Sequence, residues 1–249
     1  MEQGGQAFEA RLTIHDGKKL GKMDLANEDQ AMLAKAAVEN GLFTIETIET
    51  KPLTRNPPPP FTTSTLQQEA ARKLGYSASH TMRIAQQLYE DGAITYMRTD
   101  GVQMDGSAIS EARKAISDRY DASYVPDSPR IYKSKAKNAQ EAHEAIRPTS
   151  FTKKTVGSGD HAKLYDLILK RAMASQMASA RLERTTVEML DGTGKTGLRA
   201  NGQVVKFPGF LALYEEGRDD DKDEDGGLLP AMSKGDSPAK KSVDASQHF

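Results

Sequence analysis

Four consecutive prolines at residues 57–60 constrain the fold of this chain more than any other feature of its sequence. Proline lacks a backbone N–H and holds φ nearly fixed, so the run can continue neither a strand nor a helix and favours an extended segment. The residues before the run alternate in polarity like strands, whereas those after it repeat with helical spacing. We therefore expect a domain boundary at the prolines.

The segment before the prolines predicts strand, helix and strand in turn. Apolar and polar residues alternate over residues 8–14, which indicates a half-buried strand that turns at residues 16–17. Asn27 has the character of a helix N-cap, and an Asn-Gly pair at residues 40–41 is a helix stop signal. A second strand pattern follows through residues 43–48.

The segment after the prolines predicts two helices and a short strand. Apolar residues four apart over residues 66–74 indicate a helix that ends at Gly75. Ser79 is the expected cap of a second helix, which an Asp-Gly pair ends at residues 91–92. The alternation in residues 94–100 then predicts a strand. Helix, turn, helix and strand together fit a winged helix-turn-helix.

The remainder of the chain predicts more helices and then strands. Helical patterns begin at residue 107 and cover residues 138–146 and 160–177. Strand patterns then occupy residues 185–190, 197–201 and 204–207. Asp-Gly at residues 191–192 and Asn-Gly at residues 201–202 predict hairpin turns. The order of strands, helices and strands indicates an α+β chain in which a β-rich domain is interrupted by a helical one.

Composition excludes several classes of protein. The 249 residues include no cysteine, which rules out disulfides and thiolate metal sites within the chain, and no apolar run is long enough to span a membrane. The net charge of −1 is unevenly distributed. Residues 51–154 carry 16 basic and 11 acidic side chains, whereas residues 215–225 carry 8 acidic and 2 basic ones. The central segment is thus mildly basic, and the late acidic segment is predicted to be a solvated loop.

The most informative chemistry lies in residues 94–100, ITYMRTD. On a strand, Tyr96 and Arg98 would project to the same face and could address one ligand. A tyrosine can act as a covalent nucleophile, and the planar guanidinium of arginine suits a phosphate group. The pattern is therefore consistent with attack on a phosphodiester. A tyrosine at the edge of the core beside a solvated arginine is the structural alternative.

Three stretches in the same order resemble the bacterial type IA DNA topoisomerases. Residues 94–100 resemble the active-site tyrosine motif of that family. Residues 60–70 (PFTTSTLQQEA) and 140–149 (QEAHEAIRPT) resemble the motifs before and after it. One departure is Gly101, where the family usually has serine, and glycine has no side-chain hydroxyl to offer at that position.

The resemblance implies a split β-rich arch domain with an inserted, mainly helical domain of winged-helix type that carries the catalytic tyrosine. On this basis we expect the first part of the arch at residues 1–56, the inserted domain at 57–181 and the second part of the arch at 182–249. The N-terminal metal-binding domain and the toroid-closing domain of the family have no counterpart here. The chain is therefore expected to be a central part of a longer enzyme.

The resemblance also implies an activity, which is relaxation of negatively supercoiled DNA through transient cleavage of one strand, without ATP. Tyr96 and Arg98 are the expected catalytic residues, and the intermediate is a 5′-phosphotyrosine. The expected DNA-binding residues are Arg98, Thr99, Asp100, His143 and Arg147. For Asp100, orientation of Arg98 or a turn cap is the alternative role, and for Arg147 it is an ion pair with Glu144 or Glu141.

The same resemblance sets the expected cofactor and partners. Mg²⁺ serves the full-length enzyme through ligands outside this chain, so no metal site is expected here. The expected partners are single-stranded and negatively supercoiled DNA and the remaining domains of the same protein, in a monomeric, cytoplasmic, nucleoid-associated enzyme. The alternative is a non-catalytic winged-helix DNA-binding protein, with His80 and Arg83 as groove contacts. A nickase would require clustered histidines and a recombinase several separated catalytic arginines, and neither pattern is present.

Overall fold

The computed structural model describes residues 1–21, 23–133, 144–217, 227 and 229–245. The chain is α+β and divides into two compact units. The sheet unit consists of residues 1–53, 182–206 and 222–249, and the helical unit of residues 54–181 and 207–221. None of the helices in the described residues combines the length and the apolar character that a membrane span requires.

Four short strands, a helix and a long strand come first, a run of helices follows, and two long strands come near the end. The strands are β1 (Glu2–Gln3), β2 (Gln6–Ala7), β3 (Arg11–His15), β4 (Lys18–Lys19), β5 (Phe43–Arg55), β6 (Ala180–Asp191) and β7 (Gly197–Phe207). The α-helices are α1 (Glu28–Asn40), α2 (Thr63–Leu74), α3 (Ala78–Glu90), α4 (Gly106–Arg119) and α5 (Gly159–Ala174). Two short 3₁₀ helices occupy Ala122–Tyr124 and Gly209–Ala212.

The sheet unit is built on five strands in the order β4-β3-β7-β6-β5. Strands β3 and β7 are antiparallel, with Leu12 opposite Leu198. The side chain of Asn27 accepts a hydrogen bond from the backbone N–H of Gln30 at 2.9 Å, which confirms the predicted N-cap of α1. The core contains side chains from the helix, the strands and the segments between them: Phe8, Val38, Phe43, Ile45, Val187, Met189, Leu198, Ala200 and Leu229.

The first predicted strand begins later in the chain than its polarity pattern indicates. Strand β3 begins at Arg11 rather than at residue 8, and Phe8 is buried in the core without belonging to a strand. The predicted turn is confirmed, since Asp16 and Gly17 both have positive φ, at 50° and 73°. The polarity alternation thus reports burial correctly at residue 8, although its backbone does not join the sheet.

The predicted hairpin at residues 201–202 is wrong, because β7 runs through it without interruption. Asn201 accepts a cross-strand hydrogen bond from Thr186 at 3.0 Å. A Cβ atom at Gly202 would lie 2.3 Å from Leu229 and 2.6 Å from the carbonyl of Gly227. The glycine therefore permits a close approach by a neighbouring segment instead of forming a turn.

The helical unit confirms the stop of its first helix and corrects the start of its second. Gly75 ends α2 in the left-handed region at φ 69°. The N-cap of α3 is Ser77 rather than Ser79, and its hydroxyl accepts the N–H of His80 at 3.2 Å. The predicted helix over residues 138–146 lies outside the described residues up to residue 143, and residues 144–146 are not helical.

The segment after β7 belongs to the helical unit, although the sequence assigned it to the second part of the arch. Phe210 is buried, and its N–H donates to the carbonyl of Ala178 at 3.0 Å. Tyr214 is buried as well and donates to a carboxylate on α2. Two aromatic side chains that need burial therefore fix this segment against the helices.

Candidate active site

Tyr96 lies in an irregular loop between α3 and α4 and not on a strand. Within residues 93–100 the only strand-like pairing is a single bridge between Ile94 and Pro148. The predicted strand is therefore wrong, and so is the placement of Tyr96 and Arg98 on one strand face. The polarity alternation predicted a strand wrongly, because the backbone of these residues is hydrogen-bonded to other loops and to side chains instead of to a neighbouring strand.

Burial nevertheless alternates along the loop. Tyr96 is 41% exposed, and Arg98 and Asp100 are also exposed. Met97 is 1% exposed and Thr99 8%, so both are buried between them. The two buried side chains root the loop in the core and leave the tyrosine, the arginine and the aspartate at the surface.

On its N-terminal side the loop is hydrogen-bonded to the end of the third motif in chain order, residues 140–149. The hydroxyl of Thr95 donates to the carbonyl of Ala145 at 2.7 Å and accepts the N–H of Arg147 at 3.0 Å. The backbone N–H of Thr95 donates to the carbonyl of Arg147 at 2.9 Å. Further along, the N–H of Thr149 donates to the carbonyl of Ala93 at 2.9 Å. Residues 144–149 therefore lie directly against the tyrosine loop.

The first motif, residues 60–70, bonds to both of the others. The N–H of Ile146 donates to the carbonyl of Phe61 at 2.8 Å, which joins the first motif to the third. Thr63, the first residue of α2, bonds to the backbone of Met97 and Thr99. The described parts of the three sequence motifs thus meet around Tyr96, although 39 residues lie between the second motif and the third in sequence.

A second tyrosine packs against Tyr96. The ring of Tyr89, in the last turn of α3, lies 5.3 Å from the ring of Tyr96 between centroids, in an edge-on arrangement with an interplanar angle of 68°. Such edge-to-face pairs are favourable between aromatic rings. The side chain of Tyr89 is 40% exposed. Tyr89 lies seven residues before Tyr96 in sequence, and this closeness to the motif is the signal by which the sequence could have indicated it.

Arg147 is held in an ion pair. Its Nη2 lies 2.7 Å from Oε2 of Glu144, and Nη1 donates to the carbonyl of Pro148 at 3.1 Å. The other carboxylate oxygen of Glu144 accepts the N–H of Asp105, the N-cap residue of α4, at 2.6 Å. Of the two roles considered for Arg147, the structure shows the ion pair with Glu144. A contact with DNA stays a prediction, as it does for Thr99 and Asp100.

His143 lies outside the described residues, as does most of the basic stretch from residue 133 to residue 147. The acidic segment falls outside them from residue 218 onward. The expected roles of these residues stay predictions from the sequence.

The two proposed groove contacts on α3 bond to each other. Nη2 of Arg83 lies 2.7 Å from Nδ1 of His80, and Nε2 of His80 lies 2.9 Å from Oδ2 of Asp160 on α5. Tyr76 donates to the other oxygen of Asp160 at 2.9 Å. The hydrogen bonds from His80 and then Tyr76 lower the pKa of Asp160. In this arrangement His80 joins α3 to α5, and Arg83 bonds to His80 within α3.

A buried polar network lies beneath α2 and was not foreseen from the sequence. Glu69 is 1% exposed and accepts hydrogen bonds from the hydroxyl of Tyr214 at 2.6 Å and from the N–H of Gly217 at 3.1 Å. Arg171 is 2% exposed and donates to the carbonyl of Pro59 at 2.6 Å and to the hydroxyl of Tyr214 at 3.1 Å. The network ties α2 and α5 to the proline run and to the segment after β7.

The network also sets the ionisation of its members. Burial by itself raises the pKa of Glu69, but the hydrogen bonds from Tyr214 and Gly217, with two neighbouring cations, hold it below its ordinary value. Burial and the bond to Glu69 raise the pKa of Tyr214. Glu69 falls between Leu66 and Ala70 on the apolar face of α2, and a charge at such a position was the sequence signal for this network.

The described residues contain no group of three or more histidine, aspartate or glutamate side chains placed to hold a metal ion. Isolated carboxylates such as Asp100 and Glu144 do not provide the several oxygen ligands that Mg²⁺ prefers. The side chains around Tyr96 in this structure therefore do not fit a magnesium site.

The sequence profile of the DNA topoisomerase family matches residues 3–249. The DNA topoisomerase 1 of Zymomonas mobilis is 63% identical to the chain and aligns with all of it, over 21% of that protein's own length. The DNA topoisomerase 1 of Rickettsia felis is 43% identical over 98% of the chain and 33% of its own length. The chain therefore spans about a fifth to a third of these relatives.

A solved structure is similar to the chain over most of its length. The full-length topoisomerase I from Thermotoga maritima aligns with 93% of this chain and 39% of its own, with 32% identity and a TM-score of 0.66. At this identity and coverage the likeness extends to both the sheet unit and the helical unit.

Proposed function

Because this chain belongs to the bacterial type IA family of DNA topoisomerases, we propose that it supplies the nucleophile with which such an enzyme relaxes negatively supercoiled DNA. The supporting observation is that the described parts of the three motifs meet around Tyr96, which is exposed at the surface of a loop anchored on both sides. The chain spans only part of its relatives, so we propose that it acts within a longer polypeptide.

The proposed chemistry exchanges one phosphodiester bond for another. The phenol oxygen of Tyr96 loses its proton and attacks the phosphorus of a single-stranded segment. The bond from phosphorus to the 3′ oxygen breaks, that oxygen gains a proton, and the 5′ phosphate remains attached to Tyr96. Attack by the freed 3′ hydroxyl reverses these events after a strand has passed. The phosphotyrosine bond conserves the energy of the broken bond, so resealing needs no ATP.

Arg98 is proposed to hold the phosphate under attack. Its guanidinium is always charged and can bond two phosphate oxygens, and it is exposed two residues from Tyr96. Thr99 is buried, and its hydroxyl accepts the N–H of Gly101 at 2.9 Å. Any DNA contact at this position is therefore proposed to come from the neighbouring residues rather than from the Thr99 hydroxyl. Asp100 is exposed and is proposed to orient Arg98 or to contact DNA.

We infer that the helical unit is of winged-helix type and that the sheet unit forms the arch. Helices α2 and α3, separated by residues 75–77, support the helix-turn-helix part of this inference. The wing is supported by the family resemblance alone, since residues 94–100 do not form a strand. DNA, both single-stranded and negatively supercoiled, is the proposed partner of a monomeric, cytoplasmic, nucleoid-associated enzyme.

Magnesium has no place in the steps assigned to this chain. The described side chains do not fit a magnesium site, so any magnesium that the enzyme uses is proposed to be held by other parts of the polypeptide. The residues of this chain then supply the nucleophile and the charge of Arg98, and the proton for the leaving 3′ oxygen comes from elsewhere.

The test is covalent capture with a topoisomerase polypeptide that contains this chain. Single-stranded DNA labelled at its 3′ end is mixed with the protein, the reaction is stopped with denaturant, and labelled protein is counted. We expect an adduct with the wild type and none with Tyr96→Phe, because only the attacking oxygen is removed. DNA labelled at its 5′ end should give no labelled protein, because cleavage leaves that end on the released fragment.

The matched control is Tyr89→Phe, which removes a hydroxyl from the neighbouring exposed ring and keeps the ring itself. It should form the adduct like the wild type. Adduct formation by Tyr96→Phe would overturn the assignment. DNA binding without any adduct from the wild type would favour the alternative of a non-catalytic DNA-binding module.

A further inference from the structure

We propose that Thr63 is a positioning residue for the cleavage reaction, in that its hydroxyl fixes the backbone on which Tyr96 and Arg98 are presented. The inference rests on the proposed function, since it concerns the geometry of the same nucleophile. Thr63 lies 33 residues before Tyr96 and is the first residue of α2.

Thr63 holds the loop through both of its polar groups. Its hydroxyl donates to the carbonyl of Met97 at 2.8 Å and accepts the N–H of Thr99 at 2.8 Å. Its backbone N–H donates to the carbonyl of Thr99 at 2.9 Å. One residue therefore bonds to the main chain on either side of Arg98. A hydroxyl has a single proton to donate, and here that proton and a lone pair are both committed to the loop.

Helix capping does not account for this hydroxyl. The cap of α2 is Thr62, whose hydroxyl accepts the N–H of Thr65 at 3.3 Å, while the hydroxyl of Thr65 accepts the N–H of Thr62 at 2.9 Å. This reciprocal capping box satisfies the helix start without Thr63. The first N–H groups of a helix have no partner within it, so the N–H of Thr63 is available for Thr99.

The hydrogen bonds from Thr63 to the loop start from a helix that is firmly packed. Leu66 and Ala70 on α2 are fully buried, and Glu69 is anchored in the polar network described above. The loop, by contrast, has no neighbouring strand over residues 96–100. Thr95 secures its N-terminal side and Thr63 its C-terminal side. Without the hydroxyl of Thr63, the carbonyl of Met97 and the N–H of Thr99 lose a partner that no strand replaces.

The expected consequence is a slower reaction rather than weaker binding. Reactive groups must lie within a narrow range of distance and angle, and a misplacement of about 1 Å can cost roughly 100-fold in rate. In a topoisomerase polypeptide that contains this chain, Thr63→Val should slow adduct formation on saturating single-stranded DNA by about 10- to 100-fold. The dissociation constant for the same DNA should change by less than about twofold, because the side chain itself is not proposed to touch DNA.

Two further variants isolate the hydroxyl. Thr63→Ser keeps the hydroxyl and should restore the rate to near the wild-type value. Thr63→Ala should be as slow as Thr63→Val, and because alanine favours helix more than valine does, it serves as the second variant if the valine protein folds poorly.

The matched control is Thr62→Val, which removes the neighbouring hydroxyl and weakens the cap of α2, because that hydroxyl bonds to Thr65 rather than to the loop. Thr62→Val should lower the melting temperature of the protein. Below that temperature it should cleave DNA at close to the wild-type rate. Cleavage by Thr63→Val and Thr63→Ala at the wild-type rate would overturn the inference. So would a loss of rate in Thr62→Val equal to that in Thr63→Val, since the effect would then come from helix stability.

The failure of this inference differs from the failure of the proposed function. If Tyr96→Phe forms no adduct and the Thr63 variants cleave normally, Tyr96 remains the nucleophile and only the positioning role is lost. If Tyr96→Phe still forms an adduct, the proposed function itself is wrong, whatever the Thr63 variants do.

Discussion

The hydroxyl of Tyr214 donates a 2.6 Å hydrogen bond to Oε2 of Glu69 in the interior of the helical unit. Tyr214 follows β7 in sequence, whereas Glu69 lies on α2, 145 residues earlier. The carboxylate also accepts the N–H of Gly217 and lies 3.6 Å from Nζ of Lys73. This bond therefore ties the last described segment of the helical unit to the helix that carries Thr63.

We expect Glu69→Gln to lower the free energy of unfolding by roughly 2 kcal/mol, because a buried charged acceptor is replaced by a neutral group. The pKa of Glu69 is lower in the folded state than in the unfolded state. Its contribution is therefore complete above the unfolded value, about 4.5, and is lost as the pH falls through the lower folded value. Urea unfolding at several pH values measures both effects.

The control for this prediction is Asp127→Asn, which neutralises an exposed carboxylate in the same unit. It should be nearly neutral, within about 0.5 kcal/mol. Equal stabilities of the wild type and Glu69→Gln at neutral pH would contradict the role of the network. Tyr214→Phe should cost less than Glu69→Gln, since the other partners of the carboxylate remain.

Arg147 and Glu144 should be energetically coupled. A double-mutant cycle of Arg147→Ala and Glu144→Ala is expected to give a coupling of about 1 kcal/mol in unfolding free energy, in the range found for contacting charged pairs that are partly buried. Chemical unfolding of the four proteins measures it. Additive effects would show that the 2.7 Å contact does not stabilise the fold and would favour the predicted phosphate contact of Arg147.

His143 is expected to contribute charge to the binding of single-stranded DNA. The affinity should then fall as the pH rises through about 6 to 7, where an unperturbed imidazole loses its proton. His143→Ala should flatten this dependence in a fluorescence anisotropy titration. His161→Ala, a histidine on α5 that bonds to Gln87, is the control and should keep the wild-type profile. An unchanged profile in His143→Ala would leave His143 with a structural role.

The chain by itself should bind single-stranded DNA weakly and neither relax nor nick plasmid DNA. No metal-binding cluster lies among its described residues, and we assign the proton for the leaving oxygen to another part of the enzyme. Phosphate contacts release counterions, so the binding should weaken steeply with salt. The measurement is incubation with negatively supercoiled plasmid and magnesium, with Tyr96→Phe as the control for contaminants. Relaxation by the wild type but not by the variant would show that these residues are sufficient.

Local signals in the sequence predicted the features that local interactions decide. The cap at Asn27, the left-handed stop at Gly75 and the turn at Asp16 and Gly17 are confirmed, because each depends on a side chain and backbone atoms a few residues away. The motifs predicted the family, and family membership is confirmed over residues 3–249. Their functional residues stay predictions to be tested by the variants above.

Only the tertiary structure decided which distant groups satisfy the backbone. The sequence pattern of residues 94–100 is strand-like, yet the hydroxyls of Thr63 and Thr95 take the place of a neighbouring strand. Gly202 follows a residue typical of turns, yet it lies in mid-strand because another segment packs closely against it. Glu69 is charged, yet it is buried because Tyr214 and Gly217 reach it from far along the chain. Periodicity indicates which face of an element is apolar, but not which distant atoms its side chains meet.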